Sequence, residues 1–112
     1  MTANNYADTL NNLGRFGEAK ALLRKVIPVA RRVLGENHEF TLGMRRNYAQ
    51  SLYLDSEATL DDLGEALNTL EDAERIGRRV LGDAHPTTAR VEGDLRNVRA
   101  ALHARETPPR ST

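Results

Sequence analysis

The segment Val33-Leu34-Gly35-Glu36-Asn37-His38-Glu39-Phe40-Thr41 returns almost letter for letter as Val80-Leu81-Gly82-Asp83-Ala84-His85-Pro86-Thr87-Thr88, so the chain is built from internal copies. A unit of two helices cannot bury its apolar faces alone and must stack on its neighbours. Stacked units form an array, and an array presents a long surface to a partner.

The copies can be phased directly. Asn5-Tyr6-Ala7 with Leu10 recurs as Asn47-Tyr48-Ala49 with Leu52, 42 residues on. From Gly17-Glu18-Ala19 to Gly64-Glu65-Ala66 the spacing is 47, and it stays 47 through Leu23/Leu70, Arg31-Arg32/Arg78-Arg79 and His38/His85. Five residues are therefore inserted between Leu52 and Gly64. A loop between two packed helices tolerates such an insertion, whereas inside a helix it would rotate the buried stripe away from its neighbour.

Helical periodicity is clearest in the second half of each copy. Ala19, Leu23, Val26, Ala30 and Val33-Leu34 fall on one helical face, and Ala66, Leu70, Ala73, Gly77 and Val80-Leu81 repeat it. Small residues at Ala19/Ala66 and Ala30/Gly77 let neighbouring backbones approach closely. Gly35 and Gly82 are placed to end these helices in the left-handed conformation, with Arg31-Arg32 and Arg78-Arg79 beside the negative end of the dipole. His38 and His85 fall at the following helix starts, Pro86 at a first helical position, and Gly14 and Gly17 frame a tight interhelical turn. Thr59 with Asp61 and Asp62 predicts a capped helix start, which leaves residues 55–58 as the extra loop. Pro28 predicts a kink. Val91, Leu95, Val98 and Leu102 supply a fifth helix that covers the second pair.

With 112 residues and 39% hydrophobic content there is room for one modest core. Aromatics make up only 4%, with no Trp, so Leu, Val, Ile and Ala must carry the packing, which suits close helix stacking. The fold class is therefore all-α: a solenoid of antiparallel helix pairs, with helices at about 2–13, 17–34, 38–54, 59–81 and 86–104 in a domain over 1–104. Residues 105–112, with Pro108-Pro109, have nothing to bury and are expected to be a disordered tail. The first helix has few residues before Asn5. Either Thr2 caps a shortened helix or the chain is part of a longer array, and both readings leave an uncapped N-terminal face that favours self-association.

The phased pattern resembles a tetratricopeptide repeat of the kinesin light-chain type, about two and a half repeats in all. The residues that carry the resemblance are Asn47-Tyr48-Ala49 with Leu52, Gly64-Glu65-Ala66, and Val80-Leu81-Gly82-Asp83-Ala84-His85-Pro86. This chain departs from the pattern in its overlong second copy, in Glu39 at the link proline, and in Asp94 where Asn is expected. The resemblance implies a peptide-binding array, makes Asn5 and Asn47 the leading peptide contacts, and implies an acidic, often Trp-containing ligand.

Catalysis finds little support. His38, His85 and His103 are dispersed, two of them in the repeated turn, and no spacing suits a metal or a general base. Neither a catalytic residue, a metal site nor a cofactor is expected, and the absence of Cys removes thiolate chemistry. A polar stripe does recur on each first-type helix. It comprises Asn4, Asn5, Asp8 and Asn12, then Gly43, Arg46, Asn47, Gln50 and Leu54, then Arg90, Asp94, Asn97 and Ala101. Side by side these would floor a concave groove, whose amides can grip the backbone of an extended peptide and whose Arg46 and Arg90 suit an acidic group. Asp8 and Asp94 make it less basic than an acidic ligand favours.

Two alternatives belong to other classes. Arg31-Arg32, Arg45-Arg46 and Arg78-Arg79 could form a ridge for RNA, but sixteen basic and sixteen acidic residues cancel and stacking aromatics are scarce, so nucleic acid is not favoured. The other alternative is an architectural or oligomerisation segment of a longer repeat protein. No apolar run approaches a membrane span of ~20 residues, so no membrane partner is expected and a cytoplasmic location is the default.

Overall fold

The computed structural model describes residues 3–106. It consists of α1 (Ala3–Asn12), α2 (Phe16–Val33), α3 (Glu39–Tyr53), α4 (Leu60–Val80) and α5 (Pro86–Glu106), with no strand among the described residues. The body is elongated, 53 × 30 × 20 Å. Helices α1, α3 and α5 pack successively to form one layer; α2 lies across the junction of α1 with α3, and α4 across that of α3 with α5. This is an all-α, tetratricopeptide-like helical repeat fold.

Local chemistry accounts for the ends of the helices. Gly14, Gly35 and Gly82 have φ of +77°, +93° and +98°, which only glycine adopts without strain. The Gly35 N–H donates to the carbonyls of Ala30 and Arg31, and that of Gly82 to Gly77, so each closes a left-handed helix stop. His38 caps α3 by accepting the Phe40 N–H on Nδ1 at 3.1 Å, and His85 does the same for the Thr87 N–H ahead of Pro86, the first residue of α5. At α4 the capping box forms in both directions: Thr59 Oγ1 accepts from the Asp62 N–H and Asp62 accepts from the Thr59 N–H, each at 3.0 Å. The backbone N–H of Thr59 holds the Asp62 carboxyl below the usual carboxylate range.

The five-residue insertion is divided between loop and helix. Relative to the first copy, the connection lengthens to residues 54–59 and α4 begins three residues earlier, at Leu60. Ala58 is buried in this loop, and its carbonyl accepts a 2.6 Å hydrogen bond from Arg105. Helix α5 thus runs to Glu106, past the expected end at 104, while residues 107–112 of the expected tail lie outside the described residues, as does Thr2. Helix α2 runs on through Pro28 to Val33.

Two apolar clusters meet on α3. The larger joins Leu42, Ala49 and Leu52 of α3 with Ala66, Leu70, Ala73 and Ile76 of α4 and Val91, Leu95 and Val98 of α5. The smaller holds Ala7, Leu23 and Ile27 and is completed by Met44 and Tyr48 of α3. Val33 and Leu34, expected on the buried stripe of α2, are instead 70% and 41% exposed. Val80, at the matching position of α4 and expected on its buried stripe, is 45% exposed as well, so the end of the apolar stripe lies open in both copies.

Among the glycines the tightest surroundings are at Gly77, where an added Cβ would stand 2.9 Å from the Oγ1 of buried Thr88; around Gly64 there is nothing within 4 Å. Gly77→Val is expected to cost about 2–3 kcal/mol through overpacking. Gly64→Ala should stabilise by roughly 0.5–1 kcal/mol through helix propensity alone. Paired urea titrations of the two variants check both signs.

Candidate functional site

Because α1, α3 and α5 lie side by side, the same face of each contributes to one open cleft of about 420 Å³. From α1 come Asn4, Asn5 and Asp8; from α3, Glu39, Phe40, Gly43, Arg46 and Asn47; from α5, Thr87 and Arg90. Five of the nine residues expected from sequence are therefore brought together: Asn5, Asp8, Arg46, Asn47 and Arg90. Asn12 does not join them. It is exposed at the end of α1, and its neighbour Asn11 turns inward, 5% exposed, to donate to the Asn47 carbonyl at 3.0 Å.

Asn47 lines the cleft but is only 4% exposed. Its Nδ2 donates to Asn4 Oδ1 at 2.6 Å, and with the Asn11 bond this sews α1 to α3. Its Oδ1 is buried with no hydrogen-bond partner among the described residues. Asn47 thus acts first as a stacking residue.

Asp94, Gln50 and Asn97 belong to a network between α3 and α5 that joins the cleft through Arg46. Asp94, 5% exposed, accepts from Arg46 Nε at 2.5 Å, from Gln50 Nε2 at 3.1 Å and from the Tyr53 hydroxyl at 2.5 Å. Asn97 donates to the Tyr53 oxygen at 3.4 Å. A carboxylate with three donors replaces an amide here, which is the physical sense of Asp at this position. Burial, reinforced by the bond to Asp94, pushes the Tyr53 phenol well above its ordinary value.

The cleft's free chemistry lies elsewhere. Arg46 is held by Asp94, and Glu39 accepts from Thr87 Oγ1 at 3.3 Å with His85 Nε2 3.7 Å away. Arg90 is exposed and has no ion pair among the described residues. Phe40, 58% exposed, stands over His38 with ring centroids 5.2 Å apart and offers an aromatic face at the cleft edge. Sequence reasoning missed Phe40, Glu39 and Thr87. Extending the stripe of Gly43 and Asn47 back one turn reaches Phe40, and Thr87 is the same repeat position in α5. No group of three or more His, Cys, Asp or Glu that could hold a metal occurs among the described residues.

A family model described as tetratricopeptide repeat matches residues 1–39. That span covers α1, α2 and the turn into α3, the unit the second copy repeats, so the chain is similar to a tetratricopeptide repeat over its first hairpin. Members of this class are in general protein–protein interaction modules and typically non-enzymatic scaffolds. Neither a curated protein nor a solved structure matches the chain.

Tyr53 provides a pH test of the inner network. Its pKa is raised in the folded state, so its contribution is fully present below the unfolded value of ~10 and is lost as pH rises above it. Stability of the native chain should therefore fall more steeply above pH ~10 than that of Tyr53→Phe, measured as urea midpoints across alkaline pH.

Proposed function

We propose that the protein is a non-catalytic interaction module whose cleft over α1, α3 and α5 takes an extended peptide from a protein partner. The observation that carries this reading is the juxtaposition of Arg90, without an ion pair among the described residues, with exposed Phe40 in an open cleft that also holds Asn5 and Asp8. Arg90 suits an acidic side chain or a chain terminus, Phe40 an apolar side chain, and the amide of Asn5 the peptide backbone. Arg46, Asn47, Gln50, Asp94 and Asn97 act here by fixing the helix spacing that shapes the cleft. The kinesin light-chain resemblance suggests an acidic, Trp-containing peptide, and Phe40 beside Arg90 fits both elements of it. Asp8 and Glu39 select against a ligand that is acidic throughout.

The cleft is shallow, so affinity for an isolated peptide is weak. Fluorescence anisotropy with a panel of acidic–aromatic peptides should find binders that an Asn5→Ala, Arg90→Ala double variant holds at least about tenfold less tightly. Equal binding by the variant would refute the cleft assignment.

A second reading, architectural self-association, is favoured by an entirely apolar trough formed by Val26, Val29, Ala30, Val33, Leu34 and Met44. Val29 is 46% exposed, whereas its repeat equivalent Ile76 is 6% exposed within the larger cluster. Light scattering that shows a concentration-dependent dimer, abolished by Val29→Glu, would support this reading; a monomer at all concentrations would remove it. No helix among the described residues is long and apolar enough to cross a membrane, and the cytoplasm is the setting we infer.

A further inference from the structure

Helices α2 and α4 share no packing contact, because each bridges a different pair of helices in the other layer. A second cleft, of about 250 Å³, lies between them over α3. Leu23, Ile27 and Pro28 form its apolar wall, and three guanidinium groups, those of Arg24, Arg31 and Arg45, line the same space.

Arg45 is the unusual member. It is 6% exposed, and a buried guanidinium needs acceptors for its five N–H groups. Only Nη2 has one, Asp72 at 2.7 Å, while Nε and Nη1 are buried with no hydrogen-bond partner among the described residues. Asp72 is also claimed by Arg75 and lies within the field of Arg31, so three arginines surround one carboxylate. Arg31 itself reaches only Glu36, 3.7 Å away with both side chains largely exposed, a pair of little strength. On the other flank the Tyr48 hydroxyl donates to Glu65 at 2.5 Å and accepts from Arg24 at 3.3 Å, so Glu65 is already engaged.

The next junction shows what is missing. The equivalents of Arg31 and Arg45, 47 residues on, are Arg78 and Glu92, which pair at 2.8 Å. There the chain supplies its own anion. At the first junction a second arginine stands in the place of that carboxylate, so three arginines line an open cleft and one of them, Arg45, keeps buried donors with no partner among the described residues.

We propose that this cleft, on a face of α3 distinct from the peptide cleft, is an oxoanion site whose occupant is a phosphate group. A tetrahedral dianion presents several acceptor oxygens and can serve Arg31, Arg45 and Arg24 together, which a single carboxylate does less completely.

The test titrates the native chain with inorganic phosphate, and separately with acetate, against sodium chloride at matched ionic strength. The readouts are thermal denaturation and the Nε–H resonances of the arginines. Phosphate should raise the melting temperature saturably and shift the Arg45 Nε signal, with acetate at least tenfold weaker. Arg31→Gln removes an exposed side chain with no hydrogen bond among the described residues, and should weaken phosphate binding at least tenfold. Arg78→Gln should leave it unchanged. Arg45→Gln should abolish it, and the exposed Arg31→Gln variant decides the matter should that buried substitution fail to fold. A phosphate response no larger than that of chloride, or phosphate binding by Arg31→Gln equal to native, would overturn the site. Acetate binding as tightly as phosphate would overturn phosphate as its occupant.

Discussion

Helix α3 has to be apolar toward two different neighbours at once, and the rest of the molecule follows from how it does so. One row, Met44 and Tyr48, completes the small cluster of Ala7, Leu23 and Ile27; another, Leu42, Ala49 and Leu52, enters the large cluster of α4 and α5. Tyr48 touches both. The first hairpin buries Ala7, Leu10, Ala19, Leu23, Ile27 and Ala30, half of them alanines, a small apolar content to set against the conformational entropy of ordering two helices. Its stability is therefore borrowed from α3. Stacking is a condition of folding here rather than a later assembly of stable parts.

With both apolar rows spent on packing, the remaining faces of α3 are polar, and these are the faces that line clefts. On one side Asn47 and Arg46 bond across to α1 and α5, so the spacing of the cleft helices is set by hydrogen bonds as well as by shape. On another side Arg45 reaches Asp72 of α4. Buried polar groups of this kind add directional constraints that a uniformly apolar interface lacks, and they fix which face of each helix looks outward.

The architecture was legible in the residues because the repeat shows its own phase. The glycine stops, the histidine caps, the Thr59–Asp62 box and the junction that holds the insertion follow from local backbone chemistry, which depends on few neighbours. The use of individual polar side chains was less legible. A periodic stripe places Asn47 and Asp94 on the right face, but it cannot show that Asn4 and Asn11 take up the first, or that Tyr53, Gln50 and Arg46 converge on the second. A shift of one residue, about 100° around the axis, separates inward Asn11 from outward Asn12. The exposure of Val33 and Val80 escaped for a similar reason, since periodicity gives the face of a helix and not how far along it a neighbour covers that face.

The dependence of the first hairpin on α3 can be measured most directly on a peptide spanning residues 1–35, followed by far-ultraviolet circular dichroism during heating. The expected result is weak helicity that declines gradually with no cooperative transition, while the full chain melts cooperatively. A stable, monomeric peptide with a sharp two-state melt would contradict the shared apolar seam and the stacked-repeat interpretation built on it.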